Sequence, residues 1–145
     1  MPLRTLFDTS ALFAALVGSH EFHHRALPWL RMAQREDIHG IVSTHTLAGL
    51  YARMSGRVRP MMTAVQVLEL ISRNILPFFE TVSLNQDDYL STLERLAILG
   101  IRGGTIYDGL IAHAAVKGSA EQIVTFNESH FRRVTAGLPL QIVIP

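Results

Sequence analysis

Short apolar runs separated by longer stretches of helical period constrain this fold more than any other feature of the chain. The runs are Arg4–Phe7, Ile38–Ser43, Leu76–Val82, Gln122–Phe126 and Leu140–Ile144. Between them the spacing predicts helices near Thr9–Val17, His20–Arg35, His45–Ser55, Met61–Arg73, Gln86–Leu99 and Thr105–Lys117, with a last turn at Glu128–Arg133. Strands that read as continuous apolar runs are usually covered on both faces, and strands separated by helices usually run parallel. The expected fold is therefore α/β: a three-layer α/β/α sandwich around a mainly parallel five-stranded sheet, with residues 1–145 as a single domain. In such sheets the functional crevice lies beyond the carboxyl ends of the strands.

Composition narrows the function. The 13 Lys+Arg against 12 Asp+Glu leave a net charge of +1. A protein held on nucleic acid by bulk charge carries a large basic excess, so any such contact here must be local. There is no cysteine, which removes disulfides and thiolate metal sites and points to a reducing compartment. No leader-like opening and no run of about 18 apolar residues is present, so the expected location is the cytoplasm, with no membrane partner.

The strand ends carry the polar residues that matter. The first run ends in Asp8-Thr9-Ser10, the second in Ser43-Thr44-His45 and the fourth in Asn127-Glu128. Each has a plain structural role available, because Asp, Ser, Thr and Asn are preferred helix N-caps. Thr105-Ile106-Tyr107-Asp108 also fits a capping box, although Glu or Gln is preferred over Asp at its last position. The functional reading rests on convergence at one sheet edge. Carboxylates gathered there repel unless a cation sits between them, and oxygen ligands without thiolate suit Mg²⁺ or Mn²⁺.

Four stretches carry a resemblance: Leu-Phe-Asp-Thr-Ser-Ala-Leu at 6–12, Ser-Thr-His-Thr-Leu-Ala-Gly-Leu-Tyr at 43–51, Gly-Gly-Thr-Ile-Tyr-Asp-Gly-Leu-Ile-Ala at 103–112 and Val-Thr-Phe-Asn-Glu-Ser-His-Phe-Arg-Arg at 124–133. In this order and spacing the chain resembles a PIN-domain ribonuclease, specifically a toxin of the VapC type. The resemblance implies a Mg- or Mn-dependent endoribonuclease toxin of a type II toxin–antitoxin pair. It also implies a homodimer, an RNA substrate and a VapB-like antitoxin. Carried over residue by residue, Asp8 and Asp108 match metal-ligand and catalytic positions. Asn127 falls on the fourth acidic position, and Thr9 and Thr125 are candidate supporting hydroxyls. The second acidic position falls on Gly49, where the family places a glutamate. Glycine inside a helix costs roughly 1 kcal/mol relative to alanine, and no turn or cap in the sequence asks for one there. The expected consequence is a weakened or inactive nuclease. The alternative is a non-catalytic module of the same fold that binds antitoxin or RNA. Arg53, Arg57 and Arg59, after the helix carrying Gly49, and Arg102, before Asp108, are candidates to meet RNA phosphates or simply to be solvated.

Two other features compete for attention. His20-Glu21-Phe22-His23-His24 matches H-E-x-x-H, which on a helix can seat zinc between its two histidines. The extended form needs a glycine and a histidine where the chain has Leu27 and Leu30, and Pro28 follows within a turn. The structural alternative has Ser19 capping the second helix and Phe22, Ala26 and Leu30 forming an apolar stripe. Met61-Met62 suits either an adaptable partner groove or core filling. Leu47, Leu50, Tyr51 and Met54 read as core or dimer surface.

Overall fold

In the computed structural model, which describes residues 1–56, 58, 59 and 61–145, the apolar runs become one sheet. Its strands are β1 (Leu3–Phe7), β2 (Ile38–Ser43), β3 (Glu80–Val82), β4 (Gln122–Val124) and β5 (Gln141–Val143). They lie in the order β3-β2-β1-β4-β5, and each neighbouring pair is parallel. Successive side chains on a strand point to opposite faces, and here both faces are covered. Phe7, Val42 and Val124 enter one core with α1 (Thr9–Leu16), α2 (His23–Gln34), α3 (Thr44–Gly56) and α4 (Ala64–Asn74). Their neighbours Leu6, Ile41 and Ile123 enter a second core with α5 (Gln86–Ile98), α6 (Ile106–Lys117) and α7 (Glu128–Val134). This double burial is why the strands lack polar alternation.

Two boundaries differ from the sequence expectation, each for a local reason. The third strand begins at Glu80 instead of Leu76. Ile75, Phe78 and Phe79 send their amides back to the carbonyls of Ile71 and Ile75, and Pro77 has no amide to give a ladder. The second helix begins at His23 instead of His20. Its N-cap is Phe22, which makes no side-chain cap bond, so Ser19 does not cap it. Pro28 lies inside α2 without ending it, and Ala26 and Leu30 point into the core as the apolar stripe requires. Of the stripe on α3, Leu50 and Met54 are fully buried while Tyr51 is exposed.

Gly40 shows how tightly the first core closes on the sheet. A Cβ at this position would stand 2.8 Å from two ring carbons of Phe79, and that ring is held edge-on against Phe7 at 5.1 Å. Gly40→Ala is therefore expected to destabilise the protein by about 1–3 kcal/mol, the range for overpacking a filled core. Urea denaturation measures this, and an unchanged midpoint would mean the Phe79 ring yields freely.

Candidate active site at the switch point of the sheet

Strand order reverses between β1 and β4: β2 and β3 lie to one side, β5 to the other. A crevice opens where such a reversal occurs, beyond the strand C-termini. Asp8 follows β1 directly, and its amide donates to the carbonyl of Val124, the last residue of β4, at 3.0 Å. Asp8 is 2 % exposed. Its Oδ2 accepts from the Ser10 hydroxyl at 2.7 Å, the Thr125 hydroxyl at 2.8 Å and the Ser10 amide at 3.3 Å. Both hydroxyls are oriented in turn, because the Phe126 amide donates to Ser10 Oγ at 3.0 Å and the Asn127 amide to Thr125 Oγ1 at 2.9 Å. Among the described residues Oδ1 has no partner, so the atom left over for a ligand belongs to a carboxylate that cannot swing.

Asp108 stands in the first turn of α6, where the helix end favours negative charge. It is not the end of a capping box: Thr105 makes no side-chain cap bond, and a 3-10 turn at Gly103–Thr105 leads into the helix. The carboxylate Oδ2 instead accepts from His130 Nδ1 of α7 at 3.1 Å. Burial pushes the Asp108 carboxyl above its ordinary value, and the negative charge of Asp8 adds to the rise. The hydrogen bond and charge of His130 and the charge of Arg53 act in the opposite sense. The two carboxylates thus lie within each other's field at one edge of the sheet.

The remaining candidates sort around this pair. Thr125 bonds Asp8 directly. Thr9 does not bond it: its hydroxyl turns to Thr46 Oγ1 at 3.2 Å, and Ser10 occupies the supporting place instead. Asn127 joins through its backbone amide, and as N-cap of α7 it makes no side-chain cap bond. Arg53 lies inside α3, not after it, and its charge favours the ionised form of Asp108. Arg102 is exposed ahead of the 3-10 turn, and no hydrogen bond ties it to the carboxylates among the described residues. Arg57 lies outside the described residues.

Gly49 faces Thr9, next in chain to Asp8. A Cβ there would stand 3.1 Å from Thr9 Cγ2 and 3.3 Å from Thr9 Oγ1. Glycine therefore has a packing reason that the sequence did not show, the close crossing of α1 and α3. Ser10, His130, His45 and Tyr107 were also missed. For Ser10 the signal was its place two residues after an Asp, where a side chain can close a local turn. For His130 it was its position three residues after Asn127, on the same helix face.

The H-E-x-x-H pattern is not on one helix, since His20 precedes α2. Its Nδ1 accepts from the Phe22 amide at 3.0 Å, while His23 Nδ1 bonds the Ala14 carbonyl at 2.9 Å. Among the described residues no group of three or more His, Asp or Glu side chains is placed to hold a metal.

No family model matches the chain, and no curated protein matches it by sequence. Solved structures do match its fold. VapC20 of Mycobacterium tuberculosis, a toxin that cleaves the sarcin-ricin loop, superposes with a TM-score of 0.70 at 14% identity, covering 94% of this chain and 98% of that one. A chain of VapBC2 from Rickettsia felis, solved bound to a promoter DNA fragment, gives 0.67 at 19% identity over 97% and 98%. A chain of DNA-bound VapBC from Salmonella typhimurium gives 0.66 at 19% identity over 98% of each. The fold is that of the PIN-domain toxins.

The raised Asp108 carboxyl gives a pH prediction with a definite sign. Its neutral form is the better tolerated one in the fold. The favourable contribution is complete below the unfolded aspartate value and is lost as pH rises through the higher folded value. Asp108→Asn keeps an acceptor for His130 and removes the charge. Without metal, the variant should match the parent near about pH 3 and melt higher at neutral pH. Equal melting temperatures at both would show that burying the Asp108 charge beside Asp8 costs the fold nothing.

Proposed function

We propose that this protein is a Mg²⁺- or Mn²⁺-dependent endoribonuclease of the VapC kind, the toxin of a type II toxin–antitoxin pair, with activity weakened or lost through Gly49. The observation that carries the proposal is the pairing of Asp8 with Asp108 at the switch point of a fold shared with an RNA-cleaving toxin. The donor set fits a hard divalent cation: two carboxylates, one with a free oxygen, and no sulfur nearby. When bound, such a cation polarises the phosphate and lowers the pKa of its water.

The chain's own residues do the positioning. Ser10 and Thr125 hold Asp8, His130 holds Asp108, and Arg53 adds positive charge where a phosphate would arrive. Asn127 offers a neutral amide in place of a fourth acid. The reading brings with it a VapB-like antitoxin, a homodimer and a cytoplasmic location. Gly49 specifically favours a second reading, a non-catalytic PIN-fold module that binds antitoxin or RNA without cutting it.

Total RNA incubated with the protein and Mn²⁺ separates these readings, with Asp8→Asn as control. Gly49→Glu should raise cleavage at least tenfold, a barrier change of about 1.4 kcal/mol. Because a Cβ at 49 meets Thr9 Cγ2, the pair Gly49→Glu with Thr9→Ser should cut better still, serine keeping the hydroxyl and removing the methyl. If Asp8→Asn leaves cleavage by the Gly49→Glu variant undiminished, the nuclease reading fails. If the parent already cuts as fast as the Gly49→Glu variants, residue 49 is not a lost ligand.

A further inference from the structure

Gly49 does more than omit a carboxylate. It forms part of the wall of an open pocket of about 650 Å³, completed by His45, Ala52, Arg53 and Tyr107. His45, Gly49 and Arg53 follow one another at four-residue steps, so they share one face of α3. Tyr107 comes from α6, one residue before Asp108. The His45 and Tyr107 rings are already stacked, with centroids 5.4 Å apart and planes within 7°. Tyr107 is still 56 % exposed, so the stack leaves ring surface open to solvent.

A flat aromatic surface, an arginine in the wall of the same pocket and a glycine with no side chain suit a planar ligand that carries a negative charge. We infer that His45, Tyr107, Gly49 and Arg53 form a seat for one unpaired nucleobase of single-stranded RNA, beside the Asp8–Asp108 pair. The inference rests on the RNA-directed reading above and names the contact that reading lacks. The base lies on the Tyr107 ring, a contact any base can make because each has a π-face. Arg53 meets the adjoining phosphate, which positions the strand without reading its sequence. A glutamate side chain in place of Gly49 would extend from the same wall, so its loss enlarges the seat that glycine lines. Stacking of this kind also explains how a chain of net charge +1 can hold RNA without a broad basic face.

The test reads binding, not cleavage. Fluorescence anisotropy of a labelled eight-nucleotide single-stranded RNA is measured in EDTA, where a metal-dependent nuclease is silent. Tyr107→Ala should weaken affinity about tenfold, the scale of one stacked base, while Tyr107→Phe should bind like the parent. Moving a single abasic site along the RNA should reveal one position whose loss costs the parent a similar factor and costs Tyr107→Ala nothing further. Equal affinity in Tyr107→Ala overturns the seat, as does an abasic penalty undiminished in that variant. Absence of measurable binding to the parent overturns it too. A seat confirmed in EDTA, with no cleavage under Mn²⁺ by either the parent or Gly49→Glu, would sink the nuclease reading alone. Cleavage without any Tyr107 effect would sink the seat alone.

Discussion

Asp8 and Asp108 are held close enough to oppose each other's charge, and much of the architecture exists to keep them there. Two carboxylates free in solution would separate or take up a proton. Here separation is blocked on both sides. The Asp8 amide is tied to β4, and its Oδ2 is gripped by Ser10 and Thr125. Asp108 is fixed at the head of α6, with His130 across from it on α7. Strands β1 and β4 bring one grip, and the helices of the second core bring the other. Burial chiefly raises the Asp108 carboxyl and the charge of Asp8 adds to the rise; a cation beside the pair would favour the ionised form instead.

Gly49 bears on the same pair from the other side. In a sequence, a helical glycine at the position where the family places a glutamate reads only as a loss. In the fold it sits over Thr9, where a Cβ would be crowded at 3.1 Å, and it opens onto the pocket of His45 and Tyr107. The glycine at 49 and the close crossing of α1 and α3 thus belong together. A side chain at 49 would ask Thr9 to give by a few tenths of an ångström, and the Thr9 hydroxyl is already committed to Thr46.

Much of this was legible from residue order, because burial on both faces leaves a simple trace. Ile38–Ser43 reads as a mainly apolar strand and is one, with Ile38 and Val42 in one core and Ile41 in the other. Asp8 and Thr125 could be placed together because both follow strands that end at one edge. What stayed hidden depends on three-dimensional approach. Leu76–Phe79 has strand-like composition but spends its amides on the preceding helix. Thr9 and Ser10 are adjacent hydroxyls, and only the turn after β1 decides that Ser10 meets the carboxylate. His45 and Tyr107 lie far apart in the chain, so nothing local announces their stack.

The proposed function stands or falls with Asp8 and Asp108 forming one cation site. The most direct measurement is a Mn²⁺ titration followed by electron paramagnetic resonance, in which bound ion leaves the sharp signal of the free aqua ion. Mn²⁺ binding by the parent should be lost in Asp8→Asn and equally in Asp108→Asn, with no added loss when both are changed. Binding that survives either substitution unchanged would place the cation elsewhere and contradict the shared site.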